Sequence, residues 1–204
     1  MSRLYVWENI EYHNNNMHER FLLHTCCAPC GIAVIDELRK SYDLWVLFYN
    51  PNIHPEGEYL KRKQEVVRLC EEWGVPMIDE DYDVAAWDDA VRGLESEPEG
   101  GKRCAACFRF RLFRVAKIAS ELGFPIFGTT LSSGRNKSAA IIDPIAQEAA
   151  EAFGIRYLAE DWKKGGRQEI ARKLVCDRNI YRQDYCGCRY SLSERHPDAE
   201  SYPG

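Results

Sequence analysis

No apolar run in this 204-residue chain approaches the ~20 residues that a membrane-crossing helix needs. The first twenty residues mix acids, Asn and His and hold no signal-peptide core. Both absences predict a cytoplasmic protein with no membrane contact. Low-complexity tracts, internal repeats and long Pro/Gly/Ser linkers are missing too, which excludes collagen-like, wholly disordered and beads-on-a-string readings. An overall positive charge is also lacking, since 27 basic against 32 acidic residues leave −5. Net charge therefore does not advertise a nucleic-acid partner. Its distribution says more: Gly101 to Tyr190 carries 17 Lys+Arg against 9 Asp+Glu. Such a half is either a solvated helical surface or a face for a polyanion.

Cysteine, by contrast, is plentiful. Nine are present, and a reducing compartment and an odd count both argue against a disulfide framework. Seven fall in three groups: Cys26-Cys27-Ala28-Pro29-Cys30, Cys104-Ala105-Ala106-Cys107 and Cys186-Gly187-Cys188. The other two, Cys70 and Cys176, have apolar neighbours and are expected to be buried hydrophobes.

Hydrophobic patterning predicts an α/β chain. Residues 1–20 read as a polar leader whose Tyr5 and Trp7 pack on the body. Residues 21–192 read as a single catalytic domain, and 193–204 as a flexible tail. Strands are expected at Phe21–Thr25, Leu44–Tyr49, from Val75, at Pro125–Leu131 and at Ile155–Leu158. Between them lie helical patterns: Ile32–Lys40; Glu58–Trp73 with Leu60, Val66, Val67 and Leu69 spaced along one stripe and Gly74 as its stop; a short one near Trp87–Val91; Cys104–Leu122 with Leu112, Val115, Ile118 and Ala119 inward; Lys137–Phe153, broken before Pro144; and Arg167–Val175. Alternation of this kind predicts a Rossmann-like parallel sheet of about five strands with helices on both faces. Such sheets bind ligands beyond the carboxyl ends of their strands. CCAPC, Asn50-Pro51-Asn52 and Thr129-Thr130 each follow a strand, so they should converge there.

Thiolates are soft ligands suited to zinc, copper(I) and iron–sulfur clusters. Seven exceed the four that close a tetrahedral zinc site or hold one cubane cluster. Adjacent side chains are expected to diverge, so the vicinal pair Cys26-Cys27 is expected to bridge two centres. The preferred arrangement is four thiolates on a [4Fe–4S] cluster and three on one metal ion with an open position. Spacing alone leaves structural zinc and metal-free thiol chemistry open. A radical S-adenosylmethionine motif is not completed, because Ala33 stands where its third cysteine would be.

The stretches LLHTCCAPC (Leu22 to Cys30), FYNPNIHP (Phe48 to Pro55), RCAACFRFRL (Arg103 to Leu112), FGTTLS (Phe127 to Ser132) and YRQDYCGCRYS (Tyr181 to Ser191) together resemble the QueH type of epoxyqueuosine reductase. The resemblance covers roughly Leu22 to Ser191. It implies an adenine-nucleotide alpha-hydrolase-like fold with the metal site at the C-terminal strand ends. It also implies an iron–sulfur cluster with an adjacent metal ion, iron or else zinc, and reduction of the epoxide of epoxyqueuosine at the tRNA wobble position. On that basis Cys27, Cys30, Cys104 and Cys107 are expected to hold the cluster, and Cys26, Cys186 and Cys188 the ion. Asp184, Tyr185 and Tyr190 are candidate proton donors. Tyr49, Asn50, Asn52, Thr129, Thr130, Arg182 and Tyr185 are expected at the substrate. Phosphate contacts are expected from Lys102, Arg103, Arg109, Arg111, Arg114, Lys163, Lys164, Arg167 and Arg182. No residue identifies the external electron donor.

Two other readings compete. An iron–sulfur or ATP-dependent tRNA thiolase should carry a Ser-Gly-Gly pyrophosphate loop after the first strand, where CCAPC stands instead. A zinc-stabilised nucleic-acid- or protein-binding module would be colourless when purified.

Overall fold

The computed structural model describes residues 3–6, 18–134 and 137–196. Its centre is a six-stranded sheet in the order β1-β4-β3-β2-β5-β6, formed by Arg3–Tyr5 (β1), Arg20–His24 (β2), Asp43–Phe48 (β3), Met77–Asp79 (β4), Ile126–Thr129 (β5) and Arg156–Tyr157 (β6). All pairings are parallel except β1 against β4. The expected alternating α/β architecture is therefore present, with one strand more than expected. That strand comes from the leader, where three residues too few to show a period cover the β4 edge. Tyr5 packs against the core as expected; Trp7 lies outside the described residues.

Alternate residues of β2 serve opposite cores. Phe21 and Leu23 face one, together with Ile32 and Ile35 of α1 (Ala28–Leu38) and with Val66 and Leu69 of α2 (Glu56–Trp73). Leu22 faces the other, with Leu112 and Val115 of α4 (Lys102–Glu121) and Ala146 of α5 (Ala139–Phe153). Both faces are thus covered, as a parallel sheet requires. On α2 the inward stripe is Tyr59, Arg62, Val66 and Leu69, whereas Leu60 is 41% exposed. The expected stripe was therefore one residue out of phase at its start. Helix α5 begins two residues later than expected and runs through Pro144 without a break. The residue four back, Ala140, is exposed, so the carbonyl that proline leaves without a donor is not sealed in the core.

A short helix, α3 (Val84–Val91), is capped by the Asp83 side chain accepting from Ala86 N–H. Helix α6 (Arg167–Asp177) lies outside α1 and buries none of its residues fully. Cys176 on it is exposed, contrary to expectation, while Cys70 is buried as expected. The apolar neighbours of Cys176 rest on the core while its own side of α6 faces solvent. Helix α7 (Arg189–Arg195) takes in the first residues of the expected tail; residues 197–204 lie outside the described residues.

The chain leaves β2 toward β3 on one side and later returns to place β5 on the other. The carboxyl ends of β2 and β5 therefore form the switch point at which such sheets open a crevice.

Candidate metal centre

The first thiol group is built by that switch point. Strand β2 ends at His24. Thr25 N–H then bonds Leu47 O at 2.9 Å, which carries the chain across the end of β3. Cys27 is the N-cap of α1 in extended conformation, and Pro29 occupies the first turn, where its missing N–H costs nothing. The turn brings the sulfurs together. Cys26 Sγ and Cys27 Sγ lie 3.8 Å apart, and the sulfurs of Cys26, Cys27 and Cys30 all lie within 4.8 Å of one another. The expectation that the vicinal side chains diverge is thereby corrected: the change from extended Cys27 to helical Ala28 folds both inward.

The ground beneath these sulfurs is polar and fully buried. His24 Nε2 lies 3.1 Å from Tyr49 O, an acceptor, and 3.3 Å from Arg111 Nη2, a donor, while Nδ1 lies 2.8 Å from Thr129 Oγ1. Burial, aided by the nearby Arg111 guanidinium, pushes the His24 pKa down to about 3, so the ring is neutral at physiological pH. Arg111 donates to Asn50 Oδ1, and Asn50 Nδ2 donates to Thr25 O at 3.0 Å. Thr130 Oγ1 accepts from Cys26 N–H at 3.4 Å. Tyr49, Asn50, Thr129 and Thr130 thus lie under the thiols, bonded to the protein itself. Asn52 is also buried, its Oδ1 without a hydrogen-bond partner.

The other two groups arrive from the far side. Cys104 and Cys107 occupy the first turns of α4, and Cys186 and Cys188 the loop before α7. Cys107 and Cys188 pack together with Trp87 and Val91. The Cys104 thiol is pushed up to about 11, by burial first and then by the thiols of Cys186, Cys107 and Cys188. Cys30 and Cys186 line the same cavity. Cys186 thus shares a cavity with Cys30 although 156 residues separate them, while Cys107 and Cys188 form a second grouping.

The Cys186-Gly187-Cys188 loop has no strand or long helix to hold it. Arg62, buried on α2, donates to Cys186 O at 2.9 Å and Tyr185 O at 3.3 Å, and its Nε bonds Glu58 Oε1 at 2.7 Å. Its guanidinium also lies 5.1 Å over the Tyr185 ring. His54 N–H bonds Gly187 O at 2.7 Å. Gly187 is required there: its φ is +130°, and a Cβ would stand 2.9 Å from Arg62 Nη1. Sequence reading missed Arg62 and Glu58, although their i,i+4 spacing in phase with Tyr59, Val66 and Leu69 was a usable signal.

Charges surround the sulfurs. Lys137, buried, places Nζ 3.9 Å from Cys26 Sγ. Gln183 Nε2 lies 2.9 Å from Cys27 Sγ. Hydrogen bonding from its neighbours Cys27 and Cys30, and the cations Lys137 and Arg111, hold the Cys26 thiol well below the ordinary thiol range. Cys27 is pushed up to about 12 and Cys30 well above the ordinary thiol range, because each donates toward Cys26 and is buried. One thiolate thus collects the proton-sharing of the triad.

A cavity of about 840 Å³ opens beside Cys30 and Cys186. Lys137, Arg167, Arg172, Arg182 and Arg195 face it, against Glu99 and Asp184. Of the expected substrate residues, Arg182 and Tyr185 line it. The Tyr185 hydroxyl donates to His54 O, and Asp184 Oδ2 lies 2.9 Å from His196 Nε2. Tyr190 does not line the cavity but packs against the Trp87, Cys107 and Cys188 cluster, with the Arg103 guanidinium over its ring. The structure corrects two expected phosphate contacts, since Arg103 and Arg111 are 2% and 1% exposed. Arg103 is turned inward to the carbonyls of Glu95 and Glu97. Arg109 and Arg114 are paired with Glu148 and Glu80, while Lys163 donates to Lys137 O.

The donor set fits a metal-bearing group. Three soft ligands, Cys26, Cys27 and Cys30, converge within 4.8 Å, with Cys186 lining the same cavity as Cys30, and the buried Arg111 Nε and Gln183 Oε1 atoms have no hydrogen-bond partner. An anionic thiolate-ligated centre suits such a shell of buried cations.

A family model described as epoxyqueuosine reductase QueH matches residues 21–194. Epoxyqueuosine reductase QueH of Histophilus somni is 43% identical over 179 residues, covering 87% of this chain and 74% of that protein. The one from Haemophilus influenzae is 40% identical over 179 residues, 87% and 73% of the two chains. The one from Acinetobacter baylyi is 41% identical over 178 residues, 86% and 82%. A solved U34-tRNA thiolase NcsA from Methanococcus maripaludis with its [4Fe-4S] cluster aligns at a TM-score of 0.44 and 10% identity, covering 91% of this chain and 82% of that one. It is too remote for its chemistry to carry over.

Proposed function

This chain belongs to the QueH family of epoxyqueuosine reductases, and from that premise we propose that it reduces the epoxide of epoxyqueuosine at the wobble position of tRNA to give queuosine. The observation that carries the reading is the Cys26, Cys27, Cys30 triad at the sheet's switch point, beside a basic cavity that Cys186 also lines. Turning an epoxide into an alkene takes two electrons and two protons and releases water. No amino-acid side chain supplies those electrons, so a redox group must. A [4Fe–4S] cluster beside one metal ion would supply electrons and a Lewis acid for the departing oxygen.

Cys27, Cys30, Cys104 and Cys107 would hold the cluster, and Cys26, Cys186 and Cys188 the ion. A second division is favoured by the close grouping of Cys26, Cys27 and Cys30 within 4.8 Å: these three on the ion, with Cys104, Cys107, Cys186 and Cys188 on the cluster. The chain's other residues bind and orient. Arg182 and Tyr185 face the entering nucleoside, and Arg167, Arg172 and Arg195 meet the flanking phosphates. Asp184 Oδ2, shared with His196 Nε2, is placed at the cavity to pass protons inward. A splayed wobble base fits this mouth better than a paired one, since RNA is read most readily where it is single-stranded.

The test is nucleoside mass spectrometry of epoxyqueuosine-bearing tRNA after incubation with anaerobically purified, reduced protein. Conversion to queuosine is expected. Unchanged epoxyqueuosine with a fully iron-loaded protein overturns the reading, and so does a colourless protein that holds zinc.

A further inference from the structure

Lys137 stands out among the buried groups that sequence reading passed over. It sits just ahead of α5, 9% exposed, with Nζ 3.9 Å from Cys26 Sγ. Its placement is built. Its N–H bonds Gly134 O at 3.1 Å, and its own carbonyl accepts from Lys163 Nζ at 2.6 Å. Its stem crosses Gly134 so closely that a Cβ there would stand 2.9 Å from Lys137 Cδ and 3.3 Å from Leu131 O. Its Nζ faces the Cys26 sulfur, and Lys137 lines the same cavity as Cys30 and Cys186.

We propose that Lys137 is a positioning residue for charge: its buried ammonium raises the reduction potential of the iron–sulfur group held by the neighbouring thiols. The inference rests on the iron–sulfur reading above. Reduction adds a negative charge to an already anionic centre, and net charge and contacts to the sulfurs are among the levers that set cluster potentials. A unit charge several ångströms away at an effective dielectric near 20 is strong enough to move a one-electron equilibrium by about tenfold or more. Exposed arginines at the cavity mouth are screened by water and counterions and move it far less.

The experiment compares Lys137→Met, which keeps the length of the stem, with Lys137→Arg, which keeps the charge. Each full-length protein is reconstituted anaerobically and assayed for iron and sulfide. Its midpoint potential is then read by dye-mediated titration followed by electron paramagnetic resonance. Both variants should load iron like the unaltered protein. Lys137→Met should fall in potential by at least a tenfold change in the reduction equilibrium, about 59 mV for one electron. Lys137→Arg should stay with the unaltered protein. A loaded Lys137→Met with an unchanged midpoint overturns the proposal. If Lys137→Met fails to load, Lys137→Gln gives the same neutral comparison. Failure of both neutral variants to load, where Lys137→Arg loads, makes the ammonium an assembly requirement and overturns the redox role. An unaltered protein that takes up no iron defeats the iron–sulfur reading itself, a result visible before any potential is measured.

Discussion

The CCAPC turn and the Cys186-Gly187-Cys188 loop deliver sulfur to one place by different means. The first is held by backbone: the end of β2, the bond from Thr25 to Leu47 and the first turn of α1. The second is held by side chains from a distant helix, chiefly Arg62 with Glu58, and by the His54 amide. A backbone-made turn survives the loss of any single neighbour. A clamped loop depends on one or two residues whose own burial requires a partner.

Deleting a thiol tests whether the two regions serve one centre. Cys188→Ala and Cys27→Ala should both abolish epoxide reduction with the fold intact, read by nucleoside mass spectrometry and circular dichroism. Full activity in Cys188→Ala removes the proposal that this loop holds the ion or the cluster. Iron counting sharpens the comparison. If Cys30 holds the cluster, Cys30→Ala loses most of the iron; if it holds the ion, about one iron in five goes.

The next largest effect falls on the clamp. Arg62→Ala leaves Glu58 buried without its charge partner and should destabilise the protein by about 3–5 kcal/mol. At roughly 2–4 °C per kcal/mol for a chain of this size, the melting temperature should drop by about 6–20 °C. In metal-free protein, alkylation followed by mass spectrometry should find Cys186 labelled much faster in this variant, with Cys26 and Cys27 still protected. Equal acceleration at both places would erase the distinction between backbone-held and clamp-held sulfur.

Smaller effects follow at the cavity and the surface. If three of the mouth's arginines meet phosphates of single-stranded RNA, binding of substrate tRNA should weaken about twentyfold between 50 and 200 mM salt. A flat response discards the basic mouth. Arg103→Ala, once expected to weaken tRNA binding, should act through stability instead, since that side chain is turned inward. Last, Cys70→Ser should cost about 1–3 kcal/mol, as a hydroxyl enters an apolar core without a partner, whereas Cys176→Ser should stay within about 0.5 kcal/mol.

These contrasts also explain what could be read from the sequence. The strands β2 and β3 and the helix after CCAPC announce themselves through local apolar runs and breakers. So does the position of all three thiol groups near the ends of elements. Strand β1 has three residues and no period, so only its pairing with Asp79, Ile78 and Met77 defines it. Arg111 reads as a phosphate contact and Lys137 only as a helix start because the groups they meet, Asn50 and Cys26, lie far away in the chain. Burial of a charge depends on its partners, and partners are set by topology. Even there a trace existed: Arg62 shares the helical phase of Tyr59, Val66 and Leu69.

One wall of the cavity, α6, is hung on the outside of the protein. It meets the core through the flanks of Ala171, Leu174 and Val175 and through the Arg167 guanidinium over the Trp162 ring, and none of its residues is fully sealed. Regions with so little apolar anchorage open at a fraction of the global unfolding free energy. Amide hydrogens along α6 should therefore exchange long before those of α4, and a bulky guest would meet a yielding panel on one side and a fixed sulfur floor on the other.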